Sequence, residues 1–222
     1  MYSKTRATTP SRHPERAAYD FETVHSILDE GLVGHLAFVA DGLPQVLPTL
    51  YVRDGSSLYL HSSTGARPAR LAVRGAGLPV SFEVTLVDGL VLARSTFNHS
   101  VNYRTVVVHG TARLVREPSE KRRVMDLLVE KVVKGRTADA RPPDDDELRQ
   151  TAVLEVALES VSAKVRSGDP KDDQRDLSSA CWAGVVPMIS GRGAPVPSGD
   201  LAPGIEAPAY LFVSSAVPGA PA

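Results

Sequence analysis

The sequence predicts a mainly β protein with flanking helices (α+β), built as one domain around a curved antiparallel sheet. Three observations carry this prediction. Short runs rich in β-branched residues follow one another closely between positions 33 and 115. The dipeptides Asp41-Gly42 and Asp88-Gly89 sit between such runs and read as hairpin turns. Helical periodicity is confined to segments between and around the strands. Hairpins join antiparallel neighbours, so a doubly wound parallel sheet is disfavoured and a small barrel or strongly curved sheet is expected.

A chain of 222 residues supports one substantial core. We place that domain over 19–190, with a flexible arm over 1–18 and a Gly/Pro/Ala-rich tail over 191–222 expected to be disordered. Within the tail, AYLFV at 209–213 is a candidate docking segment. A net charge of −1 argues against nucleic-acid binding by bulk electrostatics. No apolar run reaches transmembrane length, and the polar, basic start has no secretory core, so a cytoplasmic protein without a membrane partner is expected. The single cysteine, Cys181, has no internal disulfide partner and is expected to be a small buried hydrophobe. No His/Cys cluster has zinc spacing, and the acidic run Asp144 to Asp146 reads as solvated surface, so no metal site is expected.

Taken in order, Val24, Ile27 and Leu28 give a short amphipathic helix over 20–30, with Gly31 where a C′ glycine would end it. Strands follow at 33–40, 43–52 and 57–62. Pro44 and Pro48 make the second an edge or kinked strand, because each removes a ladder donor. A helix is expected over about 65–74. Val80, Phe82, Val84 and Leu86 alternate with Ser81, Glu83 and Thr85, giving a strand from 79 to 87 that Asp88-Gly89 turns back into Leu90 to Ala93. Residues 94–102 are polar and irregular, and 103–115 read as a long strand bent at Gly110. Pro118, then Val124, Leu127, Leu128 and Val132, mark a helix. Residues 136–149 are expected as a loop with a helical turn, and 152–166 as one last strand.

The stretch Ser57 to Arg74, SLYLHSSTGARPARLAVR, carries the chemistry. A strand runs into a turn of small hydroxyl residues and then a helix start with Arg67, Arg70 and Arg74. Backbone N–H groups, hydroxyls and a guanidinium gathered this way suit a phosphate; the same pattern also describes an ordinary capped helix with a basic face. A hydrolytic triad from Ser95, His99 and Asp88 is rejected, since no GxSxG elbow is present.

Blocks in a fixed order give this stretch a context: Pro44-x-x-x-Pro48-x-x-Tyr51, LYLHSSTGAR, DGLVLARSTFNHSVNYRTVVVHGTARLV, SAKVRSGDP and WAGVVP. Over about 15–190 the chain resembles the flavin-nucleotide-binding branch of the pyridoxamine 5′-phosphate oxidase-like superfamily, which includes nitroimidazole-reductase (Nim) relatives. The resemblance implies an antiparallel split β-barrel that binds FMN, as a homodimer with the cofactor at the subunit interface. It implies that His61, Ser62, Ser63 and Thr64 lie along the flavin and that Arg67 holds the phosphate. Tyr51 takes the position of a strand-two lysine, and Tyr103, Arg104 and Thr105 reach the flavin from the partner subunit. Lys164 and Arg166 approach the cofactor from the last barrel strand, and Trp182 covers the ring. A tryptophan followed by a C-terminal arginine motif, the oxidases' own pattern, is missing, which separates this chain from pyridoxamine phosphate oxidation.

The function expected is an FMN-dependent oxidoreductase acting on a small molecule such as a nitroaromatic, with His61 the candidate proton donor. The alternatives are a non-catalytic flavin-binding protein, or a split barrel that takes haem or a deazaflavin.

Overall fold

A computed structural model of the chain describes residues 1–74 and 76–212. Its elements are β1 (Ala17–Ala18), α1 (Phe21–Glu30), β2 (Val33–Ala40), β3 (Leu43–Asp54), β4 (Ser57–Ser63), α2 (Arg67–Ala72), β5 (Leu78–Leu92), β6 (Ser100–Leu114), α3 (Pro118–Val132), α4 (Asp145–Gln150), β7 (Thr151–Ala157), β8 (Ser160–Arg166) and β9 (Gly184–Pro187). Strands pair antiparallel in the order β6-β7-β4-β3-β2-β5, and β5 pairs back to β6, which closes a ring. Outside the ring, β8 lies on β6, β1 on β8, and β9 on β5. The expected antiparallel barrel with flanking helices is thus what the chain forms.

Period-two alternation fills the interior. Leu36 and Phe38 of β2, Val80, Phe82 and Val84 of β5, Val106 and Val108 of β6, and Val161 and Ala163 of β8 are buried in one cluster. Helix α1 joins that cluster through Val24, Ile27 and Leu28, and is started by Asp20, whose side chain accepts from the Thr23 N–H at 2.7 Å. Helix α3 covers a second, smaller core outside the ring, where Val124 and Leu128 meet Val52, Tyr59, Val115 and Val153. The two β3 prolines fall in residues 43–50, which pair with β2 alone; only Tyr51 to Asp54 also pair with β4.

The two Asp-Gly dipeptides part company. Asp41 and Gly42 have φ of 52° and 76°, as a two-residue hairpin loop with both centres left-handed requires. Asp88-Gly89 is no turn: β5 runs straight through it, and the register against β6 slips between Val87 and Gly89 as at a bulge. A Cβ on Gly89 would lie 2.9 Å from Val185 of β9, so that glycine serves a close strand approach. Residues 152–166, expected as one strand, are β7 and β8 with a break at Leu158-Glu159, where the Leu158 N–H donates to Ser56 O at 2.8 Å. Gly31 ends α1 at an extended φ of −65°, so it is not a left-handed C′ residue. It is small because a Cβ there would meet Val84 and the Tyr51 hydroxyl.

Both ends of the chain make contacts with the domain. Within the expected arm, Tyr2 and Thr8 are buried, the Tyr2 N–H donates to Tyr19 O at 2.7 Å, and β1 forms a rung on β8. Cys181 is exposed. The acidic run is a helix start, in which Asp144 and Glu147 form a capping box for α4. In the tail, Tyr210 lies over Gly135 and bonds Asp139 and Arg136, and Arg192 donates to Val132 O at 2.6 Å. Val213, the last residue of the candidate docking segment, lies outside the described residues.

Two consequences are measurable. A Cβ at Gly34 would sit 2.1 Å from the Phe82 ring, so Gly34→Ala is expected to cost about 1–3 kcal/mol in urea unfolding; an unchanged midpoint would show that the ring moves freely. Lys131 lies 4.0 Å from the Tyr51 ring centroid and donates to Leu28 O at 2.7 Å. Burial pushes its ammonium down to about 8, against the pull of Asp29. Between that value and the ordinary one near 10.5 the unfolded chain holds more protons, so stability contributed by Lys131 rises with pH there and is lost as pH falls through 8. From pH 8 to 9.5 the wild type should therefore gain on Lys131→Met, whereas parallel curves would mean an unperturbed lysine.

Candidate functional site

Strand β4 pairs with β7 over its whole length, His61 to Ser63 opposite Val153 to Thr151, and the chain then turns into α2. The turn is held from inside: Ser63 Oγ accepts from Gly65 N–H at 3.2 Å, and Ser63 O accepts from Ala66 N–H at 2.9 Å. Thr64 N–H donates to Gln150 O at 2.9 Å, which ties the turn to the end of α4. Thr64 is exposed and Ser62 half-buried, the Ser62 hydroxyl making one long bond of 3.4 Å to Ser63 O. His61 is half-buried, and its Nδ1 is buried with no hydrogen-bond partner among the described residues. Arg67 opens α2, is exposed, and makes no ion pair or hydrogen bond among the described residues.

The other candidate positions form a second group on β6 and β8. Register places Tyr103 opposite Arg166 and Thr105 opposite Lys164. The cations here are already engaged. Arg104 holds Asp88 at 2.7 and 3.0 Å and Glu30 at 2.8 Å, and these hydrogen bonds, Glu30's first, push its guanidinium pKa up. Arg166 is 8% exposed and donates to Asn102, to Gly168 O at 3.2 Å and to Asp169 O at 3.3 Å; burial pushes its pKa down. Lys164 donates to Arg12 O at 3.1 Å, and the single Thr105 hydroxyl hydrogen is shared between Val84 O at 2.8 Å and Glu83 at 2.9 Å.

Two expected site residues belong to neither group. Tyr51 is 1% exposed; its hydroxyl donates to Leu28 O at 2.6 Å, and burial above all pushes that hydroxyl's pKa up. It is a core residue with its polar end already satisfied. Trp182 is 64% exposed ahead of β9, with its ring 2.9 Å from where a Cβ on Gly184 would lie. The rejected triad stays rejected: Asp88 is bound to Arg104, Ser95 Oγ accepts from Phe97 N–H at 3.2 Å, and His99 bonds Ser95 O. Sequence reading missed the importance of Arg94, whose N–H and Nη1 each donate to Asp172 at 2.8 Å. Burial alone would raise the Asp172 carboxyl, but Arg94 holds it below its ordinary value.

Residues 20–165 match the family model described as pyridoxamine 5′-phosphate oxidase. The chain belongs to that family. Solved members are similar over nearly the full length. The flavocytochrome Anf3 from Azotobacter vinelandii shares 31% identity over 95% of this chain and 97% of its own, with a TM-score of 0.88. An FAD- and haem-binding protein from Mycobacterium smegmatis shares 33% identity over 88% and 95%, with a TM-score of 0.82. A protein assigned to 5-nitroimidazole antibiotic resistance in Bacteroides thetaiotaomicron shares the fold, at 21% identity over 67% and 86% and a TM-score of 0.56. Curated protein sequences show no significant match. No helix among the described residues of this pyridoxamine 5′-phosphate oxidase family member is long and apolar enough to cross a membrane.

The two arginine environments predict opposite behaviour in the ligand-free protein. Arg166→Met strips Asn102 and two carbonyls of a buried partner and should lower stability by about 2 kcal/mol or more. Arg67→Ala removes an exposed side chain and should stay within about 0.5 kcal/mol. Thermal melts of both variants check this, and a reversal would exchange their roles.

Proposed function

We propose that the chain is a flavin-nucleotide-binding oxidoreductase that also takes up haem, with the β4–α2 turn holding the nucleotide's phosphate. The observation that carries this is the pairing of an uncommitted arginine, Arg67, with a buried, unpartnered imidazole nitrogen on His61, six residues away along one fixed turn. Guanidinium recognises phosphate in a bidentate fork, and a buried polar atom without a partner is rare enough to point to a ligand. Arg67 would hold the phosphate, Ser62, Ser63 and Thr64 would bond the chain that follows it, and His61 would face the ring system. An imidazole there is also the side chain suited to moving a proton near neutral pH. A bound flavin supplies the one- and two-electron chemistry that these side chains lack.

Support for the cofactor pair comes from the relatives at 31% and 33% identity, one a flavocytochrome and the other an FAD- and haem-binding protein. The Mycobacterium smegmatis protein favours FAD over the FMN expected from sequence, and Arg67 would serve either nucleotide through its phosphate. The apolar side chains of Val33, Val39, Leu43 and Val46, all exposed along the β2–β3 hairpin, support a homodimer, which light scattering of the full chain would test. The group on β6 and β8 would then be the surface offered to the partner's cofactor.

Purified protein should absorb near 450 nm and release a flavin nucleotide on heating, which chromatography would name as FAD or FMN. A protein that stays colourless after incubation with either would end this reading. Arg67→Ala should weaken nucleotide binding by about 1.5–3 kcal/mol, the range for a hydrogen bond to a charged group, in a flavin fluorescence titration.

A further inference from the structure

A cleft of about 540 Å³ opens between the chain's first residues, the start of α1, the β3–β4 turn and the β7–β8 break. That volume lies within the range of about 300–1,000 Å³ that small-molecule clefts occupy. Ser56 lines the cleft, whereas the β4–α2 turn begins at the other end of β4. At roughly 3.3 Å per residue, the strand sets the two places about 20 Å apart. The flavin reading makes no use of this cleft.

Three rings form one wall. Phe21 meets the Tyr2 ring edge-on, with centroids 4.8 Å apart, and stacks on His25 at 5.7 Å. The Tyr2 hydroxyl and His25 Nε2 share a hydrogen bond of 2.8 Å, and the Tyr2 N–H donates to Tyr19 O at 2.7 Å, so the cluster is fixed from within. Phe21 is still 50% exposed, which leaves ring surface for a ligand. Burial first, and then the Arg53 charge, push the His25 pKa down against the pull of Asp29. Near neutral pH the imidazole is therefore uncharged, and the wall presents ring faces, which attract cations.

The charged side chains of the cleft differ in what they have left to give. Arg53 is spent: Nε and Nη2 donate to Asp29 at 2.8 and 2.6 Å, and Nη1 donates to Gly55 O at 2.8 Å. Glu159 lies beside the buried Leu158 at the β7–β8 break, is exposed, and makes no hydrogen bond or ion pair among the described residues. An anionic ligand would meet that carboxylate and a guanidinium already shared between two acceptors. A ring that carries a positive charge would find both an aromatic wall and a free carboxylate.

We infer that this cleft binds an aromatic amine in its ammonium form, with the ring against the Tyr2–Phe21–His25 wall and the charge on Glu159. The site stands apart from the proposed nucleotide turn and does not depend on it.

Ligand-observed NMR titrations of the purified full-length protein test this with three probes of one shape: tryptamine, indole and indole-3-acetate. Tryptamine should bind at least fivefold more tightly than indole, and indole-3-acetate more weakly than either. Glu159→Gln, a change at an exposed position, should weaken tryptamine at least threefold and leave indole unchanged. Phe21→Ala, with circular dichroism confirming its fold, should weaken tryptamine and indole alike. Arg67→Ala should bind tryptamine as the wild type does, whether or not the protein binds flavin. Absence of tryptamine binding at millimolar concentration would overturn the inference, as would equal binding of the three probes or an unchanged Glu159→Gln. Loss of tryptamine in Arg67→Ala would place the amine at the β4–α2 turn and overturn it too.

Discussion

Strand β4 is the constraint from which the site follows. It is paired to β7 from Ser57 to Ser63 and to β3 from Tyr51 to Asp54, so it has no freedom to slide. A slip of one residue would move Leu58 and Leu60, both buried, to the opposite face. The position of His61, and the point at which the chain leaves the sheet for α2, are therefore set by the core. The turn itself needs only short hydrogen bonds through Ser63 and one tether to Gln150 to be held in place. Rigid strand and fixed turn together would give the proposed phosphate site its geometry without a deep cleft.

Charge divides the candidate residues by what their partners leave over. Arg104 lies between Asp88 and Glu30, and Arg166 is enclosed by Asn102 and two carbonyls, so both already have structural work. A cation that is satisfied within its own chain has little left to offer an incoming phosphate. Arg67 has no such partner among the described residues, and it sits one turn from an imidazole whose nitrogen is also unsatisfied. Spare hydrogen-bonding capacity, more than residue type, marks where ligands belong. By that measure the proposed phosphate site is the β4–α2 turn, where Arg67 and His61 both have capacity to spare among the described residues.

Much of the fold was legible because its signals are local. Alternation in β5 and the helical spacing of Val24, Ile27 and Leu28 depend on a few neighbouring residues, and they match the buried sets. Asp41-Gly42 makes its turn by its own left-handed φ values. Asp88-Gly89 has the same letters, but the approach of β9 nearly 100 residues later makes it a bulge, and no local rule contains that. Tyr51 lies in the core, a position that its neighbours in sequence do not reveal, for a similar reason. Its hydroxyl is taken by a carbonyl at the end of α1, and Lys131 from α3 covers its ring. The irregular stretch after β5 was recognised as irregular, yet its anchor, Arg94 with Asp172, spans 78 positions and is invisible until the chain is folded.

The central claim is that Arg67 and the β4–α2 turn recognise the phosphate of a flavin nucleotide. Comparing riboflavin, which has no phosphate, with the flavin nucleotide that the protein carries tests it most directly. In fluorescence titrations the nucleotide should bind at least tenfold more tightly to the wild type, and Arg67→Ala should erase most of that preference while leaving riboflavin affinity unchanged. Equal binding of riboflavin and the nucleotide to the wild type would contradict the account.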